Sequence, residues 1–125
     1  MGRSQRIKGR AFEQKIARVL RPLWPEVARG IQTRFGGKES SDLINIPFHP
    51  ECSKGGESIW AKWKQANEDA AHNGMAPVVI KQRDRESPVT MMSLKFALEL
   101  WWAKYGPDMP IDTLLEEYKK EFGTL

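Results

Sequence analysis

The chain has a single cysteine, Cys52, and cannot close a disulfide within itself, which points to a reducing, intracellular setting. Its two histidines, His49 and His72, have no cysteines around them at zinc-ligand spacing, so a structural zinc site is not expected. No apolar run approaches the ~20 residues that a membrane-crossing helix needs. No apolar segment follows the basic N-terminus as a secretory signal would require. Internal repeats and low-complexity tracts are missing too. Gly36-Gly37 is not followed by a helical pattern, which argues against a nucleotide-binding loop.

What is present fits one packed domain. The 125 residues are 40% hydrophobic and 29% charged, with net charge +4 and a pI near 9.3. The charge is unevenly spread. Residues 1–21 carry seven basic side chains against the single acid Glu13, whereas residues 106–125 carry five acids against Lys119 and Lys120. A basic N-terminal half suits phosphate backbones, and the competing reading is a solvated charged face. Residues 1–8 are expected to be a flexible basic arm. Residues 9–125 are expected to be one domain, with C-terminal helices from about residue 93.

From Gly9 the periodicity is helical, with Phe12, Ile16, Val19, Leu20 and Leu23 as one stripe, ended by Pro22 and Pro25. Ile31 to Phe35 alternates as a first strand. Leu43 to Ile46 reads as a second and Phe48 to Ser53 as a third, with Pro47 and Pro50 implying a bend or an edge. Glu57 to Asn73 reads as a second helix with Ile59, Trp60, Trp63, Ala66 and Ala70 inward. Ala76 to Lys81 is a buried strand, and Pro88 to Met92 another. Ser93 caps a third helix carrying Phe96, Ala97, Leu100 and Trp101. Asp112 caps a last one carrying Leu114, Leu115, Tyr118 and Phe122. The helix between the third and fourth strands implies parallel pairing. The expected fold is α/β, a mixed sheet flanked by helices.

Asp42 opens the second strand and Glu51 lies near the end of the third. A tight turn brings these carboxylates together, and such a pair suits Mg²⁺ completed by waters and substrate phosphates. Strand alternation points Glu51 and Ser53 one way and Cys52 and Lys54 the other. Cys52 therefore reads as a small buried residue, with no histidine or base placed to activate it. Glu13 follows Phe12 at the edge of the stripe, where it either reaches the site or is an ordinary surface acid.

The order αβββαβ, with Asp42 and then Glu51-Cys52-Ser53, resembles the PD-(D/E)xK nuclease superfamily. Gly9-Arg10-Ala11-Phe12-Glu13, Ser41-Asp42 and His49-Pro50-Glu51-Cys52 look like its archaeal-type and phage-type Holliday junction resolvases. The resemblance covers roughly residues 9–95 and implies a restriction-endonuclease-like core. It implies that Asp42 and Glu51 ligate Mg²⁺ or Mn²⁺, with the Cys52 carbonyl as a further ligand and Glu13 acting through water. It implies a site role for Gln65, and hydrolysis of DNA, most readily four-way junctions, by a homodimer. It also implies a bacterial or archaeal cytoplasm, with phage origin open. Arg3, Arg6, Lys8, Arg10, Arg34, Lys38 and Lys54 are the basic residues expected to meet the DNA.

The departure from the family is Ser53, which stands where the motif has a lysine. Three readings are open: a substitution that disables cleavage, a natural protein whose lysine comes from another element such as Lys62 or Lys81, and a natural binding-only relative. The competing functions are accordingly a junction-resolving nuclease, a non-catalytic structure-specific DNA-binding module, and a restriction or repair nuclease on duplex or flapped DNA. A protein-interaction domain is the outsider. Trp60 and Trp63 fall at core spacing, and Trp101-Trp102 expose one ring to a subunit contact.

Overall fold

The computed structural model describes residues 3–30, 41–56 and 58–123. The elements run α1 (Arg3–Leu20), β1 (Ala28–Arg29), β2 (Leu43–Ile44), β3 (His49–Lys54), α2 (Ile59–Ala70), β4 (Pro77–Gln82), β5 (Val89–Met92), α3 (Leu94–Tyr105) and α4 (Ile111–Phe122). The chain divides into two compact units, Met1–Met91 and Met92–Leu125. The division falls beside Ser93, where the C-terminal helices were expected to begin. Among the described residues no helix is long and apolar enough to cross a membrane.

The first helix begins at Arg3, so the expected arm is helical from there on. Its unbranched Gln, Arg and Lys residues are good helix formers, and one glycine at position 9 is a tolerable cost. Phe12, Glu13, Ile16 and Ala17 are its buried face. Val19 and Leu23, expected in the stripe, are exposed. The strand predicted over 31–35 lies outside the described residues, as do Arg34 and Lys38. The structure places a short strand just before it, β1, pairing antiparallel with β2 (Ala28 with Ile44, Arg29 with Leu43).

The larger sheet has the order β3-β4-β5, with β3 and β4 parallel as expected from the intervening helix. Its register puts Glu51 beside Val79 and Ser53 beside Lys81. Val78, Val79 and Ile80 are buried, as the apolar run predicts. Pro50 is accommodated inside β3 for a definite reason. His49 N–H donates to Ala76 and Gly55 N–H to Gln82, so odd-numbered amides face β4. Position 50 faces the other way, where a missing N–H breaks no ladder bond. On that side the Pro50 carbonyl instead accepts from the Asp42 amide at 3.3 Å. β2, paired with β1, is thus tied to β3 through Asp42.

Helix α2 starts at the Ser58 cap, whose hydroxyl accepts from the Trp60 amide. Ala66 and Ala70 are its buried centre. At 100° per residue, Trp60 sits about 120° away from Ala66. It is accordingly exposed, not inward as predicted. In the second unit Ser93 caps α3 as expected, accepting from Phe96 N–H. Ala97 is buried, but Leu100 and Trp101 are exposed. The Trp102 indole donates to the Met109 carbonyl. The residue before α4 is Pro110, so Asp112 lies in the first turn and is not the cap. There its charge still favours the helix dipole.

Gly30 positions the start of β2. Its N–H donates to the Asp42 carbonyl at 2.8 Å, and a Cβ there would collide with the Ser41 carbonyl oxygen. Gly56 has open space around it. Gly30→Ala is therefore expected to cost about 1–3 kcal/mol through overpacking, read from urea midpoints, with Gly56→Ala as a near-neutral control. Equal midpoints for the two variants would show that the Gly30–Ser41 approach is not tight.

Candidate active site

Four elements of the first unit bring acids together. Glu13 comes from α1, Asp42 from the residue before β2, and Glu51 from β3. Each is at most 8% exposed. Asp69 of α2 is half-buried and joins Glu51 and His49, the three offering ligand atoms all within 4.8 Å of one another.

Each acid is held by a specific bond. The Cys52 backbone N–H donates to Asp42 Oδ2 at 2.6 Å. Position 52 faces away from β4, so its amide is free for a side-chain acceptor. This bond links the start of β2 to the middle of β3. Arg29 Nε, on β1, donates to Glu13 Oε1 at 2.9 Å. Glu51 Oε1 lies 3.4 Å from His49 Nε2. The proton arrangement here follows from the partners. Met75 N–H donates to Asn73 Oδ1 at 2.9 Å, which turns the Asn73 amide nitrogen toward His49 Nδ1, also at 2.9 Å. Nδ1 then accepts, and Nε2 carries the hydrogen that faces Glu51. His49, fully buried, is thus a positioning residue for Glu51 rather than a free metal ligand.

The electrostatics register the crowding. Burial and then the neighbouring Glu51 charge push the Asp42 carboxyl up to about 7, against the lowering effects of the Cys52 N–H and Lys62. Burial also raises Glu13, with Asp42 adding to the rise while the Arg29 bond opposes it. The Cys52 thiol is pushed up by burial and by the surrounding acids. It is buried, as its sequence context predicts.

Ser53 lies 4% exposed on the same face of β3 as Glu51. Its register partner Lys81, 6% exposed, donates from Nζ to Ser53 Oγ at 3.1 Å. A lysine from the adjacent strand therefore stands at the serine. Lys62 on α2 bears on the same acids from the other side, its charge opposing the rise at Glu13 and Asp42.

Gln65 is exposed on α2. It lies about 100° from Ala66, whereas Lys62 and Asp69 lie only about 40° and 60° away. That angular order was available in the sequence and favours Lys62 and Asp69 over Gln65. Asn73 lies closer still, about 20° off if the helical spacing is extended. Lys54 binds Gln82 Oε1 at 3.0 Å and approaches Asp84, on the face opposite Glu51. Arg10 is exposed. The side chains of Arg3, Arg6 and Lys8 lie outside what is described.

Comparison of the chain with family models, with curated proteins and with solved structures finds no match.

The raised Asp42 value fixes the sign of a pH effect. A carboxyl that titrates higher in the folded state than in the unfolded chain stabilises the fold at low pH. That contribution is lost as pH rises from about 4 through about 7. Asparagine mimics the protonated acid and keeps an oxygen for the Cys52 N–H. In EDTA, Asp42→Asn should match the wild type near pH 4 and exceed it in stability by pH 8, measured by urea unfolding. Parallel stability curves would contradict the assigned shift.

Proposed function

We propose that the protein is a metal-dependent DNA endonuclease that hydrolyses phosphodiester bonds on a PD-(D/E)xK-type core. One observation carries this reading: Asp42, just before β2, and Glu51 of β3 are buried together despite their mutual repulsion, with Glu13 beside them. Burying ionised acids side by side costs several kcal/mol per ion, even where hydrogen bonds orient them. A divalent cation offsets that cost. The donor set is all oxygen, which suits Mg²⁺ or Mn²⁺ rather than a thiophilic metal.

Asp42, Glu51 and the Cys52 carbonyl would hold the ion, with Glu13 reached through water. When bound, it supplies Lewis acidity toward the phosphate and a lowered water pKa. The chain's own residues set the geometry. Cys52 N–H fixes one oxygen of Asp42, His49 orients Glu51, and Arg29 orients Glu13. In the reaction a water oxygen bonds to phosphorus while one ester P–O bond breaks. The products are a phosphomonoester and an alcohol, and the proton given up by water is balanced by the one gained at the leaving oxygen.

Lys81 beside Ser53 favours a catalytic protein over a binding-only one, because the site retains a buried cation. The basic residues of α1 support a polyanionic substrate. The four-way junction is the proposed DNA form, and a homodimer would match its two symmetric strands.

Incubation with radiolabelled four-way junction, flap and duplex in Mg²⁺ tests the proposal. Junction cleavage is expected to be fastest, with Asp42→Asn and Glu51→Gln each slowing single-turnover cleavage about 10²-fold or more. Equal rates on duplex would move the reading to a restriction or repair nuclease. No cleavage of any substrate in Mg²⁺ or Mn²⁺, with salt-sensitive junction binding intact, would establish the binding module instead.

A further inference from the structure

Lys81 is almost fully buried, yet its hydrogen-bond partner among the described residues is the neutral hydroxyl of Ser53. Buried charges ordinarily meet an opposite charge. An ammonium has three N–H donors, and the bond to Ser53 commits one. Lys81 also lines an open cavity of about 540 Å³ together with Gly55, Gly56, Ser58 and Arg83. Beside both Gly55 and Gly56 there is open space where a side chain would project, so a ligand can approach the backbone closely. Arg83 brings a second cation to this cavity, though Glu86 at 3.5 Å answers it in part. Lys81 thus lines this cavity and, through its bond to Ser53, stands beside the face of β3 that carries Glu51.

We infer that Lys81 contacts the scissile phosphodiester from this cavity and serves as the cation of the catalytic site, an inference that rests on the hydrolase reading above. Lys81 offsets charge gathering on the non-bridging phosphate oxygens as the water oxygen bonds and the ester oxygen leaves. Ser53 holds the ammonium in place from the neighbouring strand. The other nearby lysines are placed for different work. Lys54 is engaged by Gln82 and Asp84 on the opposite face. Lys62 is set against Glu13 and Asp42, where it balances the acids.

The register makes the inference testable, because Ser53 and Lys81 stand side by side and the cation can be moved across the pair. Wild type, Lys81→Met, and the exchange Ser53→Lys with Lys81→Ser are compared by single-turnover cleavage of a four-way junction in Mg²⁺. Junction affinity is measured by anisotropy with Ca²⁺ in place of Mg²⁺, and folding by circular dichroism. Lys81→Met should slow cleavage about 10²–10³-fold while changing affinity less than about threefold. The exchange should recover at least about tenfold of that loss. If Lys81→Met melts below the assay temperature, Lys81→Gln supplies the neutral side chain, with the same loss expected. Cleavage by a folded neutral variant at the wild-type rate, or no recovery in the exchange, would overturn the inference while leaving the hydrolase reading standing. A wild-type chain that cleaves no DNA would overturn both.

Discussion

The buried hydrogen bond from the Cys52 amide to the Asp42 carboxylate, 2.6 Å long, ties the beginning of β2 to the middle of β3. Much of the site depends on it. The amide is available because parallel pairing with β4 occupies the odd-numbered positions of β3. Asp42 is thereby held near Glu51. Gly30 admits the backbone of Ser41 and Asp42 at close range, and Arg29, one residue earlier, anchors Glu13. One short segment of β1 thus serves two of the three acids.

The arrangement is costly in the absence of a cation. Burial disfavours the charged form of Asp42 and the neighbouring Glu51 charge adds to that, which the upward shift at Asp42 expresses. Counter-charges offset the cluster in part. Arg29 binds Glu13, Lys62 faces Asp42, and Lys81 is held by Ser53. Strain of this kind is expected where a site is preorganised for a ligand, because the scaffold supplies the cost of bringing like charges together.

Much of the first unit was legible in the sequence because its signals are local. The continuous apolar run Pro77 to Ile80 announced a buried strand, the helix before it announced parallel pairing, and alternation put Glu51 and Ser53 on one face. Long-range pairings were less accessible. Nothing in the local pattern shows that Lys81 stands beside Ser53; that follows from register between strands separated by a helix. His49 looked bland because its role depends on Asn73 and Met75, more than twenty residues away. Gln65 was chosen by resemblance where helical angle favoured Lys62 and Asp69. Trp60 and Leu100 were assigned to buried stripes by hydrophobicity, and each lies exposed on its helix.

Whether Asp42 and Glu51 jointly bind a divalent cation is decided by isothermal titration calorimetry of Mn²⁺ into the metal-free protein at pH 6.5, in two buffers of different ionisation heat. One ion per chain should bind, with proton release, because Asp42 is partly protonated at that pH and must ionise to coordinate. Asp42→Asn and Glu51→Gln should each weaken binding by about tenfold or more. No binding at millimolar Mn²⁺, or binding that both variants leave unchanged, would contradict a metal site built on this pair.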